Sequence, residues 1–279
     1  AATDRAVLQA PLPVSVVIPN DEPVEASVVV VTHNGVVFTR LCLESVLSSQ
    51  GLRNLEVIVV DNASTDSTLE YLHALAERDS RFCLIKNESN QGFAAAVNKG
   101  LAAARGEALV VLNNDTIVPP HALALLLARL QDPSIGLIGP VSNEASTEAE
   151  IDVSYRTFGE LMNAAEERKD SYAGELFEVP VLTMFCVAFR RDVFRQVGPL
   201  DERFEIGLFE DDDYSIRTRR AGFRVLCAED VLVHHFGEGS FGALVPTGEY
   251  ARLFEANRLR FEKKWGMPWQ HHDRRQSDE

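Results

Sequence analysis

Residues 27–35 read Ser-Val-Val-Val-Val-Thr-His-Asn-Gly, and this stretch decides the fold. Its apolar, β-branched start is typical of a strand that is buried on both faces. A polar turn follows, and Phe38, Leu41 and Cys42 then recur at the spacing of one helix face. The stretch therefore predicts a strand, a loop and a helix in that order.

The same unit recurs along the first half of the chain. Apolar runs predict further strands at 55–60, 82–85 and 108–112, separated by two more helical patterns. Alternating strands and helices with short connections predict an α/β fold with a mostly parallel central sheet flanked by helices on both faces. In such sheets, ligands bind at the carboxyl ends of the strands.

Beyond Pro140 the alternation breaks, and the expected elements are less regular. They are an irregular or partly helical excursion at 142–178, a central strand at 181–190, short strands at 224–226 and 231–233, and an amphipathic helix at 249–265. The polar tail from Gln270 is expected to be loose. The proline-rich start of the chain offers only a short edge strand at 14–18.

Composition narrows the classes of function. Lysine and arginine total 27 against 42 aspartates and glutamates, which gives a net charge of −15. A surface this acidic repels nucleic-acid phosphates, so we expect no nucleic-acid partner. No apolar run approaches the ~20 residues that span a bilayer, and we see no secretory leader. Four cysteines far apart in sequence predict reduced thiols and a cytoplasmic protein.

Two acidic clusters are candidates for chemistry. Residues 113–115 (Asn-Asn-Asp) follow the fourth strand, where a carboxylate can hold a hard divalent cation or can simply cap a turn. Residues 210–213 (Glu-Asp-Asp-Asp) precede a helical pattern. Four like charges in a row are costly to gather unless a cation or solvent compensates. One of them can serve as a general base, or the run can cap a solvated helix whose dipole favours negative charge.

Two loops that contain glycine offer further candidates. Residues 234–240 (His-His-Phe-Gly-Glu-Gly-Ser) follow an apolar strand, and neutral imidazole is a common metal ligand. A structural histidine is the alternative. Residues 90–93 (Asn-Gln-Gly-Phe) open a helix, where free backbone N–H groups can meet a phosphate or a sugar hydroxyl. An ordinary N-cap turn is the alternative there, and the residues alone favour it.

Taken in order, these segments resemble one family: the inverting, GT-A-fold, nucleotide-sugar glycosyltransferases of family 2, and among them the bacterial rhamnosyltransferase-like branch. The resemblance covers about residues 27–240. The matching motifs lie at 27–35, 59–66, 90–100, 112–116, 200–204, 209–213 and 234–240, with a similar tail at 257–266.

The resemblance implies a role for each matching residue. Asp211 is expected to be the catalytic base, with Glu210 and Asp213 in support. Asp115 and His234 are expected to hold Mn²⁺ or Mg²⁺, with His235 left open as the alternative histidine. The residues expected to bind the nucleotide are Thr32, Asn34, Asp61, Asn90, Gly92, Phe93, Asn113 and Asn114. Among these, Asp61 matches the aspartate that contacts the base. The family's D-x-D metal motif lacks its first acid here, which predicts weaker or more selective metal binding.

The implied reaction moves a sugar from a UDP- or dTDP-sugar to a hydroxyl of a glycan, lipid-linked or other acceptor. The resemblance divides the chain into an extension at 1–26, a catalytic domain at 27–245 and a C-terminal helix and tail at 246–279. The catalytic domain would have a nucleotide-binding half at 27–118 and an acceptor half at 119–245. Peripheral contact with the inner face of the membrane and a homo-oligomer both stay open.

Three rival functions remain to be weighed. A nucleotide-sugar-binding pseudoenzyme or scaffold would need neither Asp211 nor His234, and both are present. A dinucleotide-dependent oxidoreductase would carry G-x-G-x-x-G after the first strand. A sugar nucleotidyltransferase would carry a glycine-rich, basic loop there. The residues that follow the first strand, Thr32-His33-Asn34-Gly35, match neither pattern.

Overall fold

The structure, a computed structural model, describes residues 23–237 and 248–275 of the 279-residue chain. The edge strand expected at 14–18 and the end of the 234–240 motif lie outside the described residues. The strands are β1 (Ala26–Thr32), β2 (Leu55–Asp61), β3 (Phe82–Lys86), β4 (Ala108–Asn113), β5 (Thr116–Ile117), β6 (Ile135–Val141), β7 (Leu176–Glu178), β8 (Cys186–Arg190), β9 (Arg224–Leu232) and β10 (His234–His235). The helices are α1 (Val36–Leu47), α2 (Thr68–Ala76), α3 (Phe93–Ala103), α4 (Ala122–Arg129), α5 (Phe158–Ser171), α6 (Arg191–Val197), α7 (Glu210–Arg220) and α8 (Glu249–Trp265), with a 3₁₀ turn at Glu202–Phe204.

Eight of the strands form one sheet in the order β3-β2-β1-β4-β8-β6-β9-β7. Strands β3, β2, β1 and β4 are parallel, and so are β6 and β9. Strand β8 runs antiparallel to both of its neighbours, and β7 is antiparallel to β9. The short strands β5 and β10 form a separate antiparallel ribbon. The expected α/β class with a mostly parallel central sheet is confirmed.

The parallel half of the sheet follows directly from the apolar runs in the sequence. In β2 every residue is buried, and β1 has only one residue that is not. A fully buried aliphatic side chain contributes ~1.5–3 kcal/mol to the hydrophobic stabilisation. Helices α1, α2 and α3 return the chain between parallel strands and cover this half through faces that include Leu43, Leu72 and Val97.

Two strand predictions in the second half were wrong in their bounds. The strand expected at 181–190 begins at Cys186, because Cys186 pairs with Leu112 and β4 ends one residue later. The two short strands expected at 224–226 and 231–233 are one strand, β9. An acidic pair in its middle interrupted the apolar pattern. Both acids are buried and bonded to arginines, Glu229 to Arg168 and Asp230 to Arg129.

The excursion at 142–178 contains one helix, α5, which begins with a capping box. The Thr157 hydroxyl accepts from the Glu160 backbone N–H, and the Glu160 carboxylate accepts from the Thr157 N–H. Helix α8 has the predicted bounds. Its Phe261 packs with Phe204, Phe209 and Ile216 in a second apolar cluster next to the start of α7.

The expectation of a loose tail was wrong for residues 270–275. His272 bonds to Asp212, and Arg275 bonds to Glu229. These polar residues find charged partners, which a pattern of hydrophobicity cannot show. All four cysteines are free. Among residues 23–237 and 248–275, no helix has the length and apolar character needed to cross a membrane.

Candidate active site

Three parallel strands end side by side at one edge of the sheet. Thr32 of β1 is level with Asp61 of β2, and Val31 is level with Asn113 of β4. Because neighbouring strands lie ~4.8 Å apart, the polar residues at these strand ends form a row. This is the edge at which a sheet of this kind binds its ligands.

Asp61 has a free acceptor in this row. Its side chain is fully buried, and its Oδ2 accepts from the Ser64 backbone N–H at 3.2 Å. Its Oδ1 has no hydrogen-bond partner among the described residues. Leaving a buried acceptor without a donor costs ~1–3 kcal/mol. The position therefore suits a ligand that brings an N–H or O–H donor.

Asn34 and Asp66 hold the first two loops together. Asn34 Oδ1 accepts from the backbone N–H groups of Thr65 (2.7 Å) and Asp66 (3.3 Å). In return, Asp66 Oδ2 accepts from the N–H groups of Gly35 (2.8 Å) and Val36 (3.3 Å) at the start of α1. The side-chain oxygen of Asn34, expected to border the nucleotide, is thus used to shape the loop.

Thr32 and Asn114, also expected to bind the nucleotide, turn their side chains into the protein. Asn114 Nδ2 donates to Thr32 Oγ1 at 3.2 Å and to Thr39 Oγ1 at 2.9 Å. Thr32 and Thr39 bond to each other at 2.9 Å. All three side chains are buried. These groups fix the strand ends and the start of α1 relative to one another.

The loop at residues 90–93 does not present the free N–H groups that the sequence suggested. The N–H of Gln91 donates to Asn62 Oδ1, that of Gly92 to Asn90 Oδ1, and that of Phe93 to the Ile206 carbonyl. The expectation that these three groups meet a phosphate is therefore not supported, since each already has a protein acceptor.

Gly92 is required at this place for a steric reason. Its φ is +84°, and a Cβ there would lie 1.9 Å from the Glu205 carbonyl oxygen. The loop before α3 thus presses directly on the segment before α7. This contact joins the loop at residues 90–93 to the segment that leads into the acidic helix.

Asp115 and His235 meet because β5 and β10 pair. His235 is opposite Thr116 in this ribbon, and its Nε2 lies 3.3 Å from Asp115 Oδ1. The His235 Nδ1 lies 2.9 Å from the Glu144 carbonyl oxygen, which only accepts, so Nδ1 carries a proton. In the neutral ring, two acceptors then face each other across 3.3 Å. Such a pair needs a proton or a cation between its members, and Asn113 Nδ2 lies 3.4 Å from the same Nε2.

His234, the histidine preferred from the sequence, points elsewhere. Neighbouring residues of a strand project to opposite faces, and the His234 Nδ1 bonds to the Tyr155 hydroxyl at 2.9 Å. Its ring also packs edge-on against Phe236. The geometry therefore favours His235, the alternative that the sequence left open, as the partner of Asp115.

The first turn of α7 holds the four consecutive acids. Glu210, Asp212 and Asp213 are buried, and Asp211 alone is partly exposed. Loss of hydration, followed by the charge of Asp212, raises the pKa of Asp211 to about 7. Loss of hydration, followed by the charges of Asp211 and Asp212, raises the pKa of Glu210 to about 8. Asp211 is the acid that can both reach a substrate and exchange a proton near neutral pH.

Asp213 was expected to support catalysis, and the structure gives it a different place. It is fully buried, and its Oδ2 accepts from Arg217 Nε at 2.9 Å. Its Oδ1 accepts from Trp265 Nε1 at 3.1 Å and from the Lys264 ammonium. Its Oδ1 therefore holds α8 against α7, and its Oδ2 is paired within α7 itself.

The comparison with known families decides where this fold belongs. The family model described as glycosyl transferase family 2 matches residues 27–198, which is more than half of the chain. The chain belongs to glycosyl transferase family 2. The match begins at Ser27, the first residue of β1's quoted stretch, and ends at Gly198, directly after α6.

Curated relatives extend the likeness of this family 2 chain. EpsH of Bacillus subtilis is 37% identical over 215 residues, which cover 75% of this chain and 60% of EpsH. The O-antigen biosynthesis protein RfbC of Myxococcus xanthus is 26% identical over 231 residues, which cover 78% of this chain and 18% of RfbC. The chain therefore spans only part of the length of these relatives.

Solved structures confirm the GT-A fold of the family 2 chain. The mannosyltransferase PcManGT from Pyrobaculum calidifontis, in complex with GDP-Man and Mn²⁺, has a TM-score of 0.61 at 21% identity and covers 93% of this chain and 70% of that one. TarS of S. aureus, residues 1–349 in complex with UDP-GlcNAc, has a TM-score of 0.60 at 17% identity and covers 85% of this chain and 66% of that one.

Two residues that shape the candidate site were not singled out in the sequence. Asn143 binds both the N–H and the carbonyl of His235 (each 2.9 Å) and so fixes its backbone. Asn62 links the second strand end to the loop at 90–93 through Asn90 and Gln91. Asn62 follows a buried strand, a signal that was available. Asn143 lies in the irregular excursion, where no pattern marked it.

Proposed function

We propose that the chain is a metal-dependent, inverting glycosyltransferase that uses a nucleoside-diphosphate sugar as its donor and Asp211 as its general base. The observation that carries the proposal is the Asp115–His235 pair at the same sheet edge as the unused Oδ1 of Asp61. The Asp115–His235 pair could bind a cation together with the donor's phosphates. The free acceptor on Asp61 could bind the donor's nucleobase.

The donor set for a metal is small. Among the described residues, no group of three or more His, Cys, Asp or Glu side chains could hold a metal ion. We therefore propose Asp115 and His235 as the protein ligands, with the donor's phosphates supplying the others. A bound Mn²⁺ or Mg²⁺ would supply positive charge that stabilises the leaving diphosphate. The absence of the first acid of the D-x-D motif, replaced by Asn113, fits this reliance on the donor.

The chain's own groups then account for the proton. Asp211 takes the proton of the acceptor hydroxyl while the hydroxyl oxygen attacks the anomeric carbon and the bond to the diphosphate breaks. A pKa of about 7 leaves Asp211 largely ionised under weakly basic conditions and still basic enough to take a proton. Glu210, with a pKa raised to about 8, stays mostly protonated near neutral pH and so adds little negative charge beside it. A single displacement of this kind inverts the configuration of the sugar.

For the donor we propose UDP- or dTDP-sugars, since Asp61 Oδ1 can accept the ring N–H that both bases carry. For the acceptor we propose a glycan or lipid-linked hydroxyl in polysaccharide biosynthesis. The name of RfbC, an O-antigen biosynthesis protein, supports that class. The rhamnosyltransferase-like branch, the cytoplasmic location and contact with the inner membrane face remain sequence-based predictions.

The test is a donor screen with Mn²⁺. Purified protein is heated with UDP, dTDP, GDP and their sugars, with and without the metal, and release of free nucleoside diphosphate is measured. We expect UDP or dTDP compounds to raise Tm only with the metal, and the sugar donors to be turned over. Donor binding without any turnover in the presence of acceptors would favour the scaffold. Consumption of a nucleoside triphosphate with a sugar phosphate would favour the nucleotidyltransferase.

A further inference from the structure

The segment Trp269–Arg275 crosses the acidic start of α7, and no part of the proposed mechanism uses it. Trp269 Nε1 donates to Asp212 Oδ1 at 3.0 Å, and His272 Nε2 lies 2.8 Å from the same oxygen. Asp212 immediately follows the proposed base. The tail thus places two nitrogen donors on a carboxylate that is adjacent to Asp211 in sequence.

Contacts on both sides of His272 in the chain fix its position. On the N-terminal side, Trp269 packs edge-on against Phe209 and Phe254. After it, Arg275 donates through both terminal nitrogens to Glu229 (2.8 Å each) and stacks on Phe177. Arg274 also pairs with the buried Glu150. The position of His272 therefore follows from several independent contacts of the tail.

The acidic surroundings of Asp211 make a positive charge on His272 important for its ionisation. On its own helix, Asp211 faces the acids Glu210 and Asp212, and Asp213 is already paired with Arg217 and Lys264. His272 is the group of the tail whose positive charge acts on Asp211 and lowers its pKa. Its hydrogen bond to Asp212, together with the charges of Asp212, Asp211 and Glu148, outweighs its burial and raises the pKa of His272.

We propose that His272 is a positioning residue for the transfer reaction: it holds the Asp212 carboxylate towards the tail and supplies the positive charge that favours the ionised form of Asp211. The inference rests on the proposed function, in which Asp211 is the base. Asp212 takes no proton from the substrate in this arrangement. Its backbone N–H donates to Asp211 Oδ1 at 2.9 Å, so it links the tail to the base.

The test compares His272→Ala, His272→Gln and the neighbouring control His271→Ala. The pH profile of kcat/KM and the affinity for the donor with Mn²⁺ are measured for each. We expect both His272 variants to move the acidic limb to higher pH by up to ~1 unit, because an adjacent positive charge is lost. Donor affinity is expected to change less than about twofold, a difference of ~0.4 kcal/mol. Because Gln keeps an N–H donor, His272→Gln is expected to have a higher Tm than His272→Ala. Its acidic limb in the kcat/KM profile is expected to stay shifted, since Gln carries no charge.

His271 contacts the Trp269 ring and is exposed, so His271→Ala is expected to leave the profile unchanged. An acidic limb at the same pH in wild type and in both His272 variants would overturn the proposal. A lower Tm with an unchanged limb would likewise show that the contact is only structural.

Asp211→Asn and an NMR titration of the His272 ring separate this inference from the proposed function. Full turnover by Asp211→Asn would exclude Asp211 as the base, and the proposed role of His272 would fail with it. If Asp211→Asn is inactive while the His272 variants keep the wild-type profile, only the inference fails. The His272 ring is expected to titrate above pH 6.5 in the wild type and lower in Asp212→Asn, because Asp212 is the main cause of its raised pKa. An identical titration in both proteins would overturn the proposal irrespective of activity.

Discussion

The Asn257 side chain lies 2.7 Å from the Gly207 carbonyl oxygen and donates to it from the middle of α8. The same Nδ2 donates to the Phe204 carbonyl at 2.8 Å, and the residue is fully buried. The loop that it holds has left-handed φ angles at Glu205, Leu208 and Phe209. Side chains adopt such angles at a cost of ~1–3 kcal/mol each. Asn257 therefore stabilises the strained segment that leads into the acidic helix.

Asn257→Ala is expected to lower the free energy of unfolding by ~2–4 kcal/mol, since two buried carbonyl groups lose their donor. Urea denaturation measures the change. Gln196→Ala is the matched control, because Gln196 Nε2 donates to the Ala221 carbonyl at 3.2 Å from an exposed position. Its cost is expected to stay within ~0.5 kcal/mol. Equal effects of the two substitutions would contradict this account of the loop.

Gly92→Ala is expected to destabilise the fold by ~2–4 kcal/mol, combining a left-handed φ with overpacking. The added Cβ would meet the Glu205 carbonyl oxygen at 1.9 Å. Gly159→Ala serves as the control, because nothing lies within 4 Å of its added Cβ. Gly159 is helical, so its replacement is expected to be neutral or to stabilise by up to ~1 kcal/mol. The midpoint of denaturation should therefore fall for Gly92→Ala and stay unchanged or rise for Gly159→Ala.

Asp211→Asn is expected to reduce turnover by ~10²–10⁴-fold, which is the usual contribution of a general base. Donor affinity with Mn²⁺ is expected to stay close to that of the wild type, because Asp211 acts on the acceptor. Steady-state kinetics and calorimetry give the two quantities. A variant with near-normal turnover would exclude Asp211 as the base, and a loss of donor binding would place it in the donor site instead.

His235→Ala is expected to weaken Mn²⁺-dependent nucleotide binding by ~10–100-fold or more, a loss at least as large as that for a residue that merely supports a metal ligand. His234→Ala tests the neighbouring histidine, whose Nδ1 bonds to Tyr155. Its effect is expected to be much smaller. Calorimetry with and without Mn²⁺ distinguishes the two, and a larger loss in the His234 variant would restore the assignment made from the sequence.

The acidic pair is expected to make the wild type less stable as pH rises. The pKa of Asp211 goes from 3.8 to about 7 on folding, and that of Glu210 from 4.5 to about 8. Between about pH 4 and 8 the folded state therefore holds more protons than the unfolded state, so stability falls as pH rises through this window. Asp211→Asn should match the wild type at pH 4 and exceed its denaturation midpoint at pH 8. A constant difference would refute the raised pKa.

The first half of the fold could be predicted because its information is local. Each parallel strand is a continuous apolar run, and each helix follows with its own periodic face, so β1, β2 and β4 and their strand ends were found without knowledge of distant contacts. Asp61 and Asp115 could be singled out as candidates for the same reason, since one ends a buried strand and the other closely follows one.

The second half depends on pairings that sequence periodicity does not record. Strand β8 is inserted antiparallel between β4 and β6. Strand β9 contains two buried acids, which form ion pairs with arginines of α4 and α5. The choice between His234 and His235 depends on which face of β10 is directed towards Asp115. The pairing register of β10 with β5 determines that face, and a shift of one residue would reverse it. The role of His272 depends on a contact across 60 positions of the chain.

The hydrogen bonds from Asn257 to the Phe204 and Gly207 carbonyls also have a consequence for folding during synthesis. The ribosome adds Asn257 fifty positions after Gly207, when all of the acidic helix has already been translated. We expect the nascent chain to fold its parallel strands early and to fix the segment before α7 only once α8 has emerged. The approach to the acidic helix would thus be completed by residues that are translated well after that helix itself.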